Sequence, residues 1–375
     1  MRKIILFGAG KHGEKLLNIY GKERVAFFCD NNYPEKEKHG IAVISFDELK
    51  KIHRDYRVII ALEFSRTTLD VGEQLNNAKI EYESAFTLEK CLHAYKVGDD
   101  WKFDFEEDLV LGFIRKRFLY GTIPMLKDMI QKYDESIIGN VSFYIYGGDY
   151  ASEADECRRV LRLNKIFSYS SSKAVAPWVI PIPDYKFYYS GYSGSDITED
   201  CDKIYEMIRN EGMRKWIDDR AFWCGNILNA EARYNLMIMA ERYPQRLQVR
   251  AYYDSAFGFT YGKENFVKMQ DFMNYKYLID IRGWGWTDRV KLLLAMGRPL
   301  LLVDRPFTEY YFDKLKPNVH YVPIKEDLSD LIEKIEYLDT HANTYNEIVN
   351  NARQFTKDNF SKDEVVRVLY ESCCM

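Results

Sequence analysis

Three times in this chain a short apolar run stops at a glycine-containing turn and a helical pattern follows. Lys3–Phe7 meets Gly8-Ala-Gly10-Lys-His-Gly13 and then Glu14-Lys-Leu-Leu-Asn-Ile-Tyr20. Arg220-Ala-Phe-Trp-Cys-Gly225 precedes a helix that carries Arg233. Tyr275-Lys-Tyr-Leu-Ile-Asp-Ile281 runs through Arg282-Gly-Trp-Gly-Trp286 into a helix expected over Thr287–Gly297. Strand, glycine turn and helix in succession read as an α/β chain with parallel sheets, because parallel strands need a long crossover between them. Open sheets of this kind bind ligands beyond the C-terminal strand ends, where these glycine turns fall. At about 150 residues per domain, the 375 residues make two or three such units, each able to bury its own core.

The first unit carries the Gly-x-Gly-x-x-Gly spacing in its required context. Gly8, Gly10 and Gly13 permit the tight turn and close backbone approach, and the helix start offers free N–H groups to a phosphate. A second strand, Arg24–Cys29, ends in Asp30, placed where an acid holds a ribose. Val58–Ala61 reads as a further buried strand. Gly8, Gly10, Gly13 and Asp30 are the expected nucleotide contacts of a module bounded at residues 1–92. With Phe28-Cys-Asp-Asn-Asn32 and Gly40–Leu49, the unit resembles small Rossmann-like modules attached to bacterial polysaccharide-biosynthesis enzymes. Their pocket binds a nucleotide, binds a nucleotide sugar, or is vestigial. No catalytic dyad lies nearby, which opposes hydride transfer.

Composition removes several function classes. With 53 Lys plus Arg against 57 Asp plus Glu, the net charge is −4, and a nucleic-acid binder needs a basic surface. The seven cysteines and six histidines show no Cys-x-x-Cys and no paired-histidine spacing. Neither a disulfide framework nor a zinc site is expected, and a reducing cytosol fits best. The start of the chain does not read as a signal peptide, and no apolar stretch nears the ~18 residues of a membrane span. The expectation is a cytoplasmic protein, peripheral to the inner membrane only if its acceptor is lipid-linked; no basic amphipathic helix stands out. Aromatic residues make up 15% of the chain, which suits stacking on bases and sugars or an aromatic-rich core.

Candidate chemistry lies in the second half and just before it. Val141–Tyr146 reads as a strand ending on Gly147-Gly-Asp149-Tyr150, which presents Asp149 at a ligand-binding strand end. Tyr188–Gly194 reads as an aromatic-glycine loop suited to a sugar acceptor. Asp200-Cys-Asp202 reads as helix capping and not as a metal motif. Further on, a helix start capped by Thr287, the loop Gly283-Trp284-Gly285 and Arg289 converge, which together make a diphosphate site. Leu300–Val303 is a buried strand ending at Asp304, Glu309 follows as an acid for ribose hydroxyls, and Asp327–Ile335 reads as a capped amphipathic helix.

The run Tyr275–Ile335 is similar to the CAP10 domain of glycosyltransferase family 90, which includes protein O-glucosyltransferases and bacterial lipopolysaccharide-modifying enzymes. The matching words are Tyr275-Lys-Tyr277, Gly283-Trp-Gly-Trp-Thr-Asp-Arg289, Leu315-Lys-Pro-Asn-Val-His-Tyr-Val-Pro-Ile-Lys325 and Asp327-Leu-Ser-Asp330. Trp223-Cys-Gly225 resembles the family's aromatic-Arg-Gly word, with Cys224 in the arginine's place. Asp149-Tyr150 resembles its Arg-Asp-Tyr-Pro turn, and Phe167–Ser170 and Ile180–Asp184 also have counterparts.

This resemblance implies a GT-B architecture of two Rossmann-like halves, an acceptor-side half over 93–210 and a donor half over 211–375, preceded by the small additional Rossmann-like module. It implies inverting transfer from a UDP-sugar to a saccharide acceptor in lipopolysaccharide or capsule biosynthesis, with no essential metal and no other cofactor. Arg233 and Arg289 would neutralise the leaving diphosphate. Gly225 and the loop from Gly283 through Trp284 and Gly285 to Thr287 would surround it, with Asp304 and Glu309 beyond. The family's catalytic base lies before an arginine-bearing helix, which points to Asp108 followed by Arg115; Asp149 is the other candidate. Two further readings stay open. One is a regulatory sugar-nucleotide-binding protein on a degenerate transferase domain, favoured by Cys224. The other is an NAD(P)-dependent oxidoreductase led by the first glycines.

Overall fold

The computed structural model describes residues 2–32, 34–110, 112–137, 141–188, 200–254 and 260–374. Three sheets follow one another along the chain. The first contains β1 (Lys3–Phe7), β2 (Val25–Cys29), β3 (Glu37–Lys38), β4 (Ile41–Ile44), β5 (Tyr56–Ile60) and β6 (Glu83–Ser84) in the order 3-4-2-1-5-6. Every pairing in it is parallel except β3 with β4. Ile4 and Leu6 of β1 point into one apolar cluster while Ile5 and Phe7 point into another. The central strand is thus buried on both faces, as a parallel sheet covered by helices requires.

The second sheet contains β7 (Cys91–Val97), β8 (Asp100–Asp104), β9 (Ser142–Tyr146), β10 (Ile166–Ser168) and β12 (Val179–Pro181) in the order 12-10-9-7-8, while β11 (Ser171–Ser172) stands apart from it. The third contains β13 (Asp218–Asn226), β14 (Leu247–Asp254), β15 (Thr260–Tyr261), β16 (Tyr275–Asp280), β17 (Leu300–Val303) and β19 (Val322–Ile324), in the order 15-14-13-16-17-19. Its strands are parallel apart from β15. In the second sheet β9, β10 and β12 are parallel and β7 is antiparallel to both its neighbours, and a cleft between the second and third units opens at the C-terminal ends of β9, β13 and β16.

The two halves are joined by more than a linker. β18 (Phe307–Thr308) of the third unit pairs antiparallel with β11 of the second. One apolar cluster runs through both, from Leu92, Phe143 and Phe167 to Leu278, Leu293 and Leu300. Lys291 and Asp184 meet across the join at 2.7 Å, with side chains 0% and 1% exposed. The last helix, Lys362–Cys374, crosses back onto the acceptor half, where Tyr370 stacks on Tyr133 and Asp363 pairs with Lys132. Many of the aromatic residues are core: Trp223, Tyr146, Tyr169, Tyr277, Tyr311, Phe118 and Phe167 are among the largest fully buried side chains.

Local expectations fail at two places. The helix expected from Thr287 spans only Val290–Ala295, and Arg289 stands at its N-cap with no side-chain cap. Thr287 is drawn away because its hydroxyl donates to Asp280. The helix expected from Asp327 begins at Leu331: Asp327 instead accepts from Ser329 N and Asp330 from Lys325 N, which makes a turn before the helix. The stretch after Arg117 is a π-helical turn, Phe118–Thr122, between the helices Gly112–Arg117 and Ile123–Tyr133. The aromatic-glycine loop lies outside the described residues from Tyr189 onward. No helix is long and apolar enough to cross a membrane among the residues described.

Removing one partner of the ion pair that joins the halves should be costly. Asp184→Leu leaves the buried Lys291 ammonium without its carboxylate partner, with an expected loss of about 3–5 kcal/mol. Urea unfolding checks this, and Asp184→Leu with Lys291→Met should recover most of the loss.

Candidate active site

The C-terminal ends of β13 and β16, the loop after β16 and the turn after β9 enclose a cavity of about 260 Å³. Gly225, Asn226, Arg233, Tyr252 and the loop Gly283–Arg289 line its donor side; Arg117, Asp149 and Tyr185 line the acceptor side. The two sides touch at Gly285. A Cβ there would collide with the carbonyl oxygen of Asp149, so only glycine lets the donor loop lie on the acceptor turn. Trp284 beside it is 57% exposed at the rim, whereas Trp286 is buried.

Asp280, at the end of β16 and 0% exposed, organises the charge. It accepts from Arg289 Nε at 2.7 Å and Thr287 Oγ1 at 2.8 Å, and pairs with Arg305 at 2.7 Å. Burial alone would raise its carboxyl, but Arg305 and Arg289 outweigh burial and hold it well below the usual range. Arg233 stands next to this group and spends its donors on backbone, at Arg282 O, Asn226 O and Ile281 O. Burial, and then the charge of Arg289, push Arg233 down to about 10. Arg289 and Arg305 therefore share one carboxylate, and Arg233 adds a third guanidinium beside it, so positive charge exceeds negative charge in this cluster. Arg289 Nη1 donates to Cys224 O at 2.6 Å, whereas its Nη2 is buried without a partner. A buried donor left unmet by protein is what an anionic ligand would satisfy.

On the acceptor side Arg117 fixes Asp149. Its Nη1 donates to Asp149 Oδ1 and to Gly147 O, both at 2.8 Å. Its guanidinium lies 4.9 Å from the ring centres of both Phe113 and Tyr185, positions that favour a cation. Among the described residues Asp149 Oδ2 has no hydrogen-bond partner, and its side chain is 41% exposed.

The structure places Asp108, Asp304, Glu309 and the first module's glycines and Asp30 away from this cleft, while Thr287 stays in its lining. Asp108 lies beside the first module, 63% exposed and 3.8 Å from Arg24, and Arg115 turns outward to Glu107. Asp108 is therefore not placed to act as base. Asp304 accepts from Arg305 N and faces a different cavity with Phe307, Phe312 and Tyr321. Glu309 is not at a ribose site: it is buried where the halves join, with Oε1 accepting from Tyr311 Oη and Oε2 unpartnered. Thr287 has committed its hydroxyl to Asp280 and Arg305. Gly8, Gly10, Gly13 and Asp30 form a separate glycine turn in the first module. A Cβ at Gly13 would strike Gly8 O, so this glycine allows the helix Lys11–Tyr20 to pack on the turn. Asp30 Oδ2 accepts from Ala9 N at 2.8 Å, which ties the expected ribose acid to backbone. A larger cavity of about 480 Å³ lies at the seam of this module and the acceptor half, where Arg57 is already paired with Glu83 and Glu106.

Sequence reasoning missed Arg117, Tyr185, Asp280 and Arg305. Asp280 had a readable signal, an acid closing a buried strand with arginines on either side of the following helix. Arg117 had none, since nothing in Arg115-Lys-Arg117 says which arginine turns inward. Among the described residues no group of three His, Cys, Asp or Glu side chains could hold a metal ion.

A model of glycosyl transferase family 90 matches residues 115–371, and a C2185-like N-terminal model matches residues 1–85. Protein O-glucosyltransferase 2 of Danio rerio is 34% identical over 99 residues, 26% of this chain and 20% of its own length. Protein O-glucosyltransferase 3 of Homo sapiens is 30% identical over 208 residues, 54% of this chain and 39% of its own length. The chain thus spans between a fifth and two fifths of these curated relatives. Among solved structures, Anabaena Alr3699/HepE in complex with UDP and glucose matches with a TM-score of 0.37 and 10% identity over 99% of each chain.

The buried Glu309 yields a pH prediction. Burial, with Asp184 adding to it, outweighs Lys291 and pushes its carboxyl from 4.5 up to about 8. Between those values the folded chain holds a proton that the unfolded chain has lost. Stability is therefore full below the lower value and falls as pH rises towards the upper one, by about 1.4 kcal/mol per pH unit. Glu309→Gln should flatten this slope in urea titrations run from about pH 5 to about pH 8.

Proposed function

We propose that this chain, which belongs to glycosyl transferase family 90, transfers a sugar from a nucleotide diphosphate sugar, a UDP-sugar, to a saccharide hydroxyl with inversion at the anomeric carbon. The observation that carries this reading is the excess positive charge around Asp280, with Arg289 Nη2 buried and unpartnered beside the cleft. A diphosphate placed there would meet that donor and neutralise that charge, and the same group would stabilise the leaving diphosphate as its negative charge grows. Arginine then supplies the charge that a divalent cation supplies in metal-dependent transferases.

Asp149 is the base in this reading. The acceptor oxygen attacks the anomeric carbon on the face away from the diphosphate, the bond from that carbon to the diphosphate oxygen breaks, and the hydroxyl proton passes to Asp149 Oδ2. Arg117 keeps the other carboxylate oxygen in place. Gly285 brings base and donor loop to one spot, which removes much of the entropic cost of aligning two substrates.

A lipopolysaccharide or capsule saccharide is the proposed acceptor, supported by the likeness of the first module to those attached to polysaccharide enzymes. The names of the curated relatives, protein O-glucosyltransferases, give a second reading: UDP-glucose as donor and a polypeptide hydroxyl as acceptor.

Two variants test the assignment. Arg289→Ala should weaken UDP binding by about 10-fold or more, as loss of charge-assisted hydrogen bonds does, and should stop transfer. Asp149→Asn should bind UDP as the wild type does while kcat falls by about 10²–10⁴. Titration calorimetry and a UDP-release assay read the two effects, with EDTA expected to change neither. Full turnover in Asp149→Asn removes Asp149 from the role of base.

A further inference from the structure

Asp288 stands next to Arg289 on the donor loop, and neither charge neutralisation nor base catalysis uses it. Its carboxylate lines the cleft opposite Arg117, Asp149 and Tyr185. Its protein partners reach only Oδ2, and both at long range: Lys186 Nζ at 3.4 Å and Tyr185 Oη at 3.5 Å. A carboxylate offers about four acceptor positions, and contacts of that length satisfy little of this capacity. The side chain is 40% exposed, into the cavity. Its backbone is nevertheless fixed, because Asp288 O accepts from Lys291 Nζ at 2.7 Å and the same ammonium is held by Asp184. Burial works to raise its carboxyl, but Lys186, Lys291 and Arg117 outweigh burial and keep it below the usual range. The cleft thus contains an ionised, rigidly mounted carboxylate whose acceptor positions are mostly empty.

We propose that Asp288 reads hydroxyl groups of the transferred sugar and so decides which nucleotide sugar is used, an inference that rests on the donor-site reading above. A diphosphate held by Arg289 carries its sugar one bond further on. That sugar must also come within reach of Asp149 to be attacked. Asp288 lies between these requirements: it adjoins Arg289 in the chain and feels the charge of Arg117, which holds Asp149 at 2.8 Å. An ionised carboxylate accepts from two neighbouring hydroxyls at once, and an epimer that turns one of them away leaves an acceptor unmet. The ligand class is a pyranose with a vicinal diol, attached to a nucleoside diphosphate.

The test is calorimetric binding of UDP, UDP-glucose, UDP-galactose, UDP-xylose and UDP-N-acetylglucosamine to the wild type, Asp288→Ala and Asp288→Asn. The wild type is expected to prefer one UDP-sugar over the others by about 10-fold or more. That preference should vanish in Asp288→Ala and shrink in Asp288→Asn, while all three proteins bind UDP within about 2-fold of one another. A preference kept in Asp288→Ala overturns the inference and leaves the donor site standing, as does a wild type that binds every sugar alike. Joint loss of UDP and UDP-sugar binding in both variants, with a lower urea midpoint, also overturns it, since Asp288 would then only hold the loop. A wild type that binds no UDP removes the donor-site reading and this inference with it.

Discussion

The ion-paired carboxylate of Asp280 sets the position of the cationic groups around the cleft. It closes a strand with no exposure to water, so its charge must be met by protein. Arg289, just before the helix Val290–Ala295, and Arg305, just after β17, meet it, and Thr287 adds a hydroxyl. These bonds draw the chain between β16 and β17 into a loop before the helix can begin. They also concentrate more positive charge than one carboxylate can balance, which Arg233 increases while bonding only to backbone carbonyls. In the donor-site reading proposed above, a cluster that is positive before any ligand arrives suits a diphosphate, since no dipole has to turn when the ligand binds.

The second constraint is that neither half builds the cleft alone. Asp149 belongs to the acceptor half, Arg289 to the donor half, and the contact between Gly285 and the Asp149 carbonyl brings them together. The β11–β18 pair, the Asp184–Lys291 bond and the shared apolar cluster keep the halves in that relation. Buried ion pairs are weak sources of net stability; this one has a geometric effect, because Lys291 also bonds the backbone of the donor loop. The first module keeps its own doubly covered sheet and its own glycine turn, and none of its residues reaches the cleft. Its Asp30 is engaged by Ala9 N, which distinguishes a retained turn from a ribose acid left free.

Much of this protein was legible in the sequence by itself. Apolar runs ending in glycine turns determined the parallel sheets, because period and turn chemistry are local. Gly225, Gly283, Gly285 and Arg289 could be named from one stretch of chain for the same reason, and Asp149 from its strand end. Tertiary structure decided the rest. Arg115 and Arg117 are two residues apart on one helix and so point to nearly opposite sides; packing against Phe113 and Tyr185 selected Arg117. Asp108 and Asp149 were equal candidates until the fold placed one beside the first module and the other against the donor loop. Glu309 looked like a ribose acid and became a buried carboxyl at the join. Thr287 looked like a helix cap and became a ligand of Asp280. In each case the deciding energy is desolvation or pairing between residues far apart in the chain, which a local pattern does not encode.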